Sequence, residues 1–270
     1  IRSTSDDAVI INATTFTGSV TNSGTIDGSD SALVLTGTTF TGNVTNSGSL
    51  LGGGDALAVE TGTTQTGNIA NSGLVESTSA DGVDIDGVVT GSITNQSSGV
   101  IRGLADGIEV SGTVTAGITN SGTIAGETGA AINLSGADAA TTITQNAGLI
   151  QGGNGTSVGV ALRLNNTFAD AVSATGGTID GDIVGGVGDS DDVTMNPASS
   201  FIYLRGTATA IDQFNKQGAG NALLGAASRG ATGTEAVGVT INAASMTNSG
   251  TGRLYIDDNT QVNLSGGFTQ

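Results

Sequence analysis

The chain has 270 residues, 24 acidic against 7 basic, and a formal net charge of −17. That sign disfavours nucleic acid and anionic membranes as direct partners, because both would repel it. Cysteine and histidine are absent, which excludes a disulfide framework, a zinc site of the usual nitrogen and sulfur ligands, and a triad with a histidine base.

The first residues already lie inside a repeat. Ile1-Arg2-Ser3 occupies the position that Ile26-Asp27-Gly28, Leu50, Val75, Ile101-Arg102-Gly103, Ile124-Ala125-Gly126 and Ile150-Gln151-Gly152 occupy later. A unit opening at Ile26 runs through Leu33 and Leu35, turns at Thr36-Gly37, continues through Thr38-Thr39-Phe40-Thr41-Gly42 and closes at Val44-Thr45-Asn46-Ser47-Gly48. The next unit repeats this plan through Leu57 and Val59, Thr61-Gly62 and Ile69-Ala70-Asn71-Ser72-Gly73. Val83 and Ile85, Ile108 and Val110, and Ile132 and Leu134 keep the same two-residue spacing. Period two predicts strands, and the Gly, Asn, Asp and Ser between them predict turns.

The asparagines at 22, 46, 71, 95, 120 and 146 are separated by 24, 25, 24, 25 and 26 residues. Three short strands every 24 to 25 residues predict an all-β chain, a parallel β-helix with one coil per repeat. At about 25 residues per coil the chain makes about eleven coils, roughly 50 Å long at the usual strand spacing. Ile26, Leu50, Val75, Ile101, Ile124 and Ile150 are expected to form one inward ladder, and Val20, Val44, Ile69, Ile93 and Ile118 a second. The asparagines are expected to stack at one corner and bond along the column, with glycine in each corner to supply positive φ. A leucine-rich repeat needs a leucine-rich consensus and a helical segment per unit, and neither is present.

After about residue 165 the period stretches. Residues 179–193 read as a turn-rich coil, and residues 196–235 are the least repetitive part, with Pro197, Phe201, Tyr203, Arg205, Phe214 and Lys216. Asp212-Gln213-Phe214-Asn215-Lys216 is the best candidate for a short helix or an excursion from the coil. Alternation resumes at Val237-Gly238-Val239-Thr240-Ile241, Leu254-Tyr255-Ile256 and Val262-Asn263-Leu264. The expected organisation is a single solenoid over 1–270, with regular repeats at 1–165, irregular coils at 166–236 and terminal coils at 237–270.

Val44-Thr45-Asn46-Ser47-Gly48-Ser49-Leu50-Leu51-Gly52 and Ile118-Thr119-Asn120-Ser121-Gly122-Thr123-Ile124-Ala125-Gly126 resemble the repeats of bacterial autotransporter (type V secretion) passenger domains. The closing stretch, Asn248 to Ile256 and Val262 to Gln270, resembles the end of such passengers. The resemblance implies a right-handed β-helix at the bacterial cell surface or secreted, with an outer-membrane β-barrel in the same precursor. With no signal-peptide pattern and no 18-residue apolar stretch, the sequence reads as a mature or excised segment of something larger.

The expected function is therefore that of a non-enzymatic passenger segment, an adhesin or structural spacer. Its partners would be a host or neighbouring-cell surface, a glycan, or further copies of itself. No catalytic, cofactor or metal residues are assigned. The competing reading is a β-helical polysaccharide hydrolase or lyase with a carboxylate groove near residues 189–216. Its requirement is two carboxyls about 5 to 9 Å apart. The acidic dipeptides Asp6-Asp7, Asp191-Asp192 and Asp257-Asp258 serve it poorly, because adjacent side chains on a strand point to opposite faces. Asp27 and Glu76 also fail, because Leu51 holds the equivalent place between them. Gly185-Gly186-Val187-Gly188-Asp189-Ser190-Asp191-Asp192-Val193 partly echoes the glycine-rich calcium nonapeptide, but Ser190 stands where aspartate is expected and the motif occurs once, so it reads as an acidic turn. The threonines at 15, 39 and 64 and at 17, 41 and 66 could order water as ice-binding solenoids do, but the pattern lapses at Val88-Val89-Thr90 and fits β-propensity on an exposed strand.

Overall fold

The computed structural model describes residues 1–154, 159–199, 201–225, 239–257 and 260–270. Among them are 32 strands and no helix, arranged as one 10-stranded and one 22-stranded sheet. All the paired strands run parallel, each with its counterpart one coil away. Thr25–Gly28 pairs with Ser49–Gly52, Val44–Asn46 with Ile69–Asn71, and Val83–Ile85 with Ile108–Val110. The fold is a parallel β-helix with three strands per coil and about ten coils. Arg2, bridged to Asp27, extends the stack at its first coil.

Both inward ladders form in register and run further than expected. The first continues from Ile150 through Ile179, Leu204 and Leu224. The second continues from Ile118 through Ile143, Val172, Val193, Phe214 and Met246. Leu33, Leu57, Val83, Ile108, Ile132 and Leu162 make a third. These columns are almost entirely excluded from water. A thin column one side chain deep suits aliphatics, because each β-branched residue packs on its own kind at the strand spacing.

The strands are not all short. Val9–Thr17, Leu33–Thr41, Ala208–Lys216, Val239–Asn248 and Thr260–Thr269 run 9 or 10 residues. Each spans two of the three strand positions, and Leu33–Thr41 pairs with both Leu57–Val59 and Thr64–Gln65.

The asparagine column closes as expected. Asn22, Asn46, Asn71 and Asn95 each donate from Nδ2 to Oδ1 of the next asparagine, at 2.8 to 2.9 Å. Asn120 then donates to Oε1 of Gln145 at 2.8 Å. The residue in the column is Gln145, not Asn146, which is exposed and accepts instead from the Thr175 hydroxyl. The pairing register puts 145 opposite 120. Beyond it the same column reads Ala174, Met195, Lys216 and Asn248.

The corner glycines divide: Gly37, Gly62, Gly117 and Gly148 have the positive φ expected of a corner, while most of those at the asparagine corner play a different part. None of Gly24, Gly48, Gly73 and Gly122 has positive φ. A Cβ on Gly48 would strike the Gly24 carbonyl oxygen, one on Gly73 that of Gly48, and one on Gly122 that of Gly99. Glycine is there because successive coils approach too closely for a side chain.

The short helix or excursion from the coil expected at residues 212–216 is instead a strand in register with the stack. Asp212 to Lys216 ends Ala208–Lys216, with Phe214 and Lys216 turned inward. Phe214 continues the second ladder, so burying its ring required period two. Lys216 is wholly buried, and Nζ donates to the carbonyls of Gln217 at 2.6 Å and Gly218 at 3.1 Å. Desolvation pushes its ammonium pKa down. Residues 226–238, Val237 and Gly238 among them, and Asp258 lie outside the described residues.

Candidate functional site: carboxylate ladders and an outward aromatic row

A second polar ladder runs along another corner. Asp7 Oδ1 accepts from the Ser31 amide at 2.8 Å, Asp55 Oδ1 from the Asp81 amide at 2.9 Å, and Asp81 Oδ1 from the Asp106 amide at 2.6 Å. Asp106 Oδ1 takes the Ala130 amide in turn. Each carboxylate reaches forward to the next coil, where the amide before a strand lacks a ladder partner. A later set reaches backward. Asp212 Oδ2 accepts from the Asp191 amide at 3.1 Å, Asp191 Oδ1 from the Asp170 amide at 2.9 Å, and Asp170 Oδ1 from the Thr141 amide at 2.6 Å. The signal was present in the sequence as Asp7-Ala8-Val9, Asp55-Ala56-Leu57, Asp81-Gly82-Val83 and Asp106-Gly107-Ile108, an aspartate two residues before an inward aliphatic. Burial raises the carboxyl pKa values of Asp81, Asp170 and Asp191 to about 6, against the lowering effect of the amides they accept.

Carboxylates also face each other across adjacent coils, which no acidic dipeptide achieved. Asp84 and Glu109 are opposite in register. With Asp86 they place one oxygen each within 4.8 Å of one another. Ser111 Oγ donates to Asp86 Oδ1. Desolvation comes first in raising both members of the pair, Asp84 to about 8 and Glu109 to about 7, and the Asp86 charge adds to it. Two carboxyls this close share a proton, because both cannot ionise cheaply.

The sign for stability follows. The folded pair holds a proton that the unfolded chain releases above the ordinary carboxylate range. Its contribution is complete below that range and is lost as pH rises through about 8. Asp81, Asp170 and Asp191 act in the same direction through about 6. The melting temperature is therefore expected to fall between pH 5 and pH 9. Asp84→Asn, which keeps a donor opposite Glu109, should flatten the upper part of that decline. A melting curve that rises with pH across this window, or an unchanged slope in the variant, contradicts the shared proton.

Two other acidic residues form ion pairs on the surface. Asp27 pairs with Arg2 and Glu76 with Arg102, both at 3.1 Å and with substantial exposure. Such pairs contribute little. Leu51 lies between Asp27 and Glu76, as expected. Asp191 points inward and Asp192 outward. The threonine column holds at Thr15, Thr39 and Thr64 and breaks at Val88, also as expected.

The outer face of the ten-stranded sheet carries one straight row. Leu74, Val100, Thr123, Leu149, Thr178, Tyr203, Leu223 and Tyr255 follow one another in register. At its far end Phe201 stacks on Tyr203 and on Tyr255, with centroids 5.7 and 5.9 Å apart. The Arg205 guanidinium lies 5.4 Å from the Tyr203 ring centre. Phe201 is 40% and Tyr255 38% exposed, so aromatic surface reaches solvent where the chain has only eight Phe and Tyr residues.

A cavity of about 530 Å³ lies between residues 186–188, 210–212, 242–244 and 263–265. Its single carboxylate is Asp212, so it does not offer the facing pair that glycoside hydrolysis uses. Ala210 on its wall has φ of 53°, at the bulge where register shifts within Ala208–Lys216. Comparison with family models, with curated proteins and with solved structures finds no match to this chain.

Proposed function

We propose that this chain is a non-enzymatic, surface-displayed or secreted β-helical segment that acts as an adhesin or spacer, as its likeness to autotransporter passengers implies. The observation that supports this reading is the outward row from Leu74 to Tyr255, which ends in the Phe201–Tyr203–Tyr255 stack. A rigid, flat face with exposed aromatic surface binds by area rather than by a pocket. Stacked coils hold the face straight because each contacts only its neighbours. On this reading a second copy, a cell surface or a glycan meets that sheet, and a barrel in the same precursor carries the segment outward.

Beads coated with the chain are expected to retain bacterial or host cells, or the free chain to self-associate in sedimentation. Tyr203→Ser with Tyr255→Ser is expected to weaken that binding at least about tenfold, the loss of two aromatic anchors. Full retention by the double variant rules out the aromatic end as the contact. The competing hydrolase reading draws on the facing Asp84–Glu109 pair. Release of reducing ends from a polysaccharide, abolished by Asp84→Asn, would establish it and remove the adhesin reading.

A further inference from the structure

The cavity between residues 186–188, 210–212, 242–244 and 263–265 is built from four successive coils. Ile211 and Ala243 are buried in the core, so their neighbours Ala210, Asp212, Asn242 and Ala244 face out toward it. The glycine turn that forms the other wall is pinned. The Gly185 amide donates to the Thr209 carbonyl at 2.9 Å and the Gly186 amide to Asp191 Oδ2 at 2.7 Å. A Cβ on Gly185 would strike the Ala210 carbonyl oxygen. Ala210 itself, with φ of 53°, is the one non-glycine residue among those described that has positive φ. Such backbone persists where its surroundings over-determine it, and it clusters with bulges at ligand sites.

Three polar side chains on the cavity keep hydrogen-bonding capacity that the fold does not use. Asn263 Oδ1 accepts from Gln261 Nε2 at 3.0 Å, and Asn263 Nδ2 donates to Asn242 Oδ1 at 2.8 Å. That relay of amides fixes the Asn242 side chain and leaves its Nδ2 without an acceptor among the described residues. Asp212 commits Oδ2 to the Asp191 amide at 3.1 Å, while Oδ1 accepts from no described residue. Ser265 Oγ likewise has no described partner. The cavity therefore offers an acceptor, a donor and a hydroxyl that can be either. Among the described residues no lysine, arginine or aromatic ring lines it.

We infer that this cavity binds a neutral sugar unit of an oligosaccharide. Its volume of about 530 Å³ lies within the roughly 300–1,000 Å³ of small-molecule sites. A sugar hydroxyl both donates and accepts, so neighbouring hydroxyls can meet Asp212 Oδ1, Asn242 Nδ2 and Ser265 Oγ together. An anionic ligand would face the Asp212 carboxylate with no cation to offset it. A cationic one is served poorly, because that carboxylate already holds an amide. The pinned turn and the oriented Asn242 keep the ordering cost of binding low. With a single carboxylate the cavity binds the sugar and does not hydrolyse it. The inference goes beyond the adhesin reading and does not use the aromatic row, which lies on the other sheet.

The test titrates neutral tetrasaccharides of glucose, galactose and mannose into the full chain and reads binding by saturation-transfer NMR. Tetragalacturonate and tetraglucosamine serve as the acidic and basic controls. At least one neutral probe is expected to bind saturably, and about tenfold or more tightly than either control, because a charged probe leaves a group unpaired. Asn242→Ala with Asn263→Ala should weaken that binding about tenfold, the loss of two hydrogen-bonding side chains. Ala244→Phe, which fills the cavity and removes no hydrogen bond, should abolish it. Tyr203→Ser with Tyr255→Ser should leave it unchanged. In the unmodified chain the bound sugar should slow amide hydrogen exchange at residues 186–188 and 263–265 and leave residues 201–205 and 253–255 as they were, which keeps the test open should a variant fold poorly. Tightest binding by a charged control, binding that survives Ala244→Phe, or binding lost with the two tyrosines each overturns the cavity site. Cells retained by a chain that binds no neutral probe would remove this inference and leave the adhesin reading standing.

Discussion

Asn95→Asp is expected to destabilise the protein by about 3–5 kcal/mol, the usual cost of an uncompensated buried charge, although it exchanges one nitrogen for oxygen. Asn95 is wholly buried. Its Nδ2 donates to the Gly99 carbonyl at 3.1 Å, to Asn120 Oδ1 at 2.9 Å and to the Thr123 carbonyl at 2.9 Å, while its Oδ1 accepts from Asn71 at 2.9 Å. A carboxylate there would keep the one donor and face three acceptors. Shape is preserved, so packing cannot explain the loss. The deficit should shrink toward pH 4, where a protonated aspartate regains one donor. Asn68→Asp is the control. Asn68 is exposed, and its Oδ1 accepts from the Ser92 amide and hydroxyl. A carboxylate serves that role as well, so the change should cost under about 1 kcal/mol. Urea unfolding of the two variants at pH 7 and pH 4 decides the matter, and equal midpoints would refute the donor count.

Ile93→Asp is expected to cost several kcal/mol for a different reason. Ile93 is 1% exposed and lies in register between Ile69 and Ile118. The column offers an aspartate no donor, and losing the isoleucine alone costs about 2–5 kcal/mol before the charge is counted. In a stacked array the damage falls at the interfaces with both neighbouring coils, so a mid-array position is worse than a terminal one. Thr64→Asp, on an outward-facing position between Thr39 and Val88, should cost under about 1 kcal/mol. Similar thermal midpoints for the two variants would mean that the inward and outward faces have been exchanged.

Much of the architecture was written in the repeat. The spacing of Ile26, Leu50, Val75, Ile101, Ile124 and Ile150 set one ladder and that of Val20, Val44, Ile69, Ile93 and Ile118 another, and both register pairs formed as read. They could be read because in a stacked coil the partner of a residue is its own copy one period away, so a long-range contact becomes a local pattern. The asparagine column followed for the same reason as far as Asn120.

Tertiary structure decided what the period alone could not. Gln145 displaced Asn146 because the pairing register, not the Asn-x-Gly resemblance, chooses which side chain enters the corner. The strand at residues 208–216 replaced the expected short helix or excursion because Phe214 had a ladder to complete. At the asparagine corner Gly48, Gly73 and Gly122 are required by the approach of neighbouring coils, a distance with no sequence signature. The backward-reaching ladder of Asp170, Asp191 and Asp212 formed only when coils of unequal length were stacked. Asp84 and Glu109, by contrast, hold copied positions one ordinary period apart, so their meeting was legible in the repeat. The regular part of the molecule, the Asp84–Glu109 pair included, was thus determined by its sequence period, while Asp170, Asp191 and Asp212 were brought together by coil lengths that depart from it.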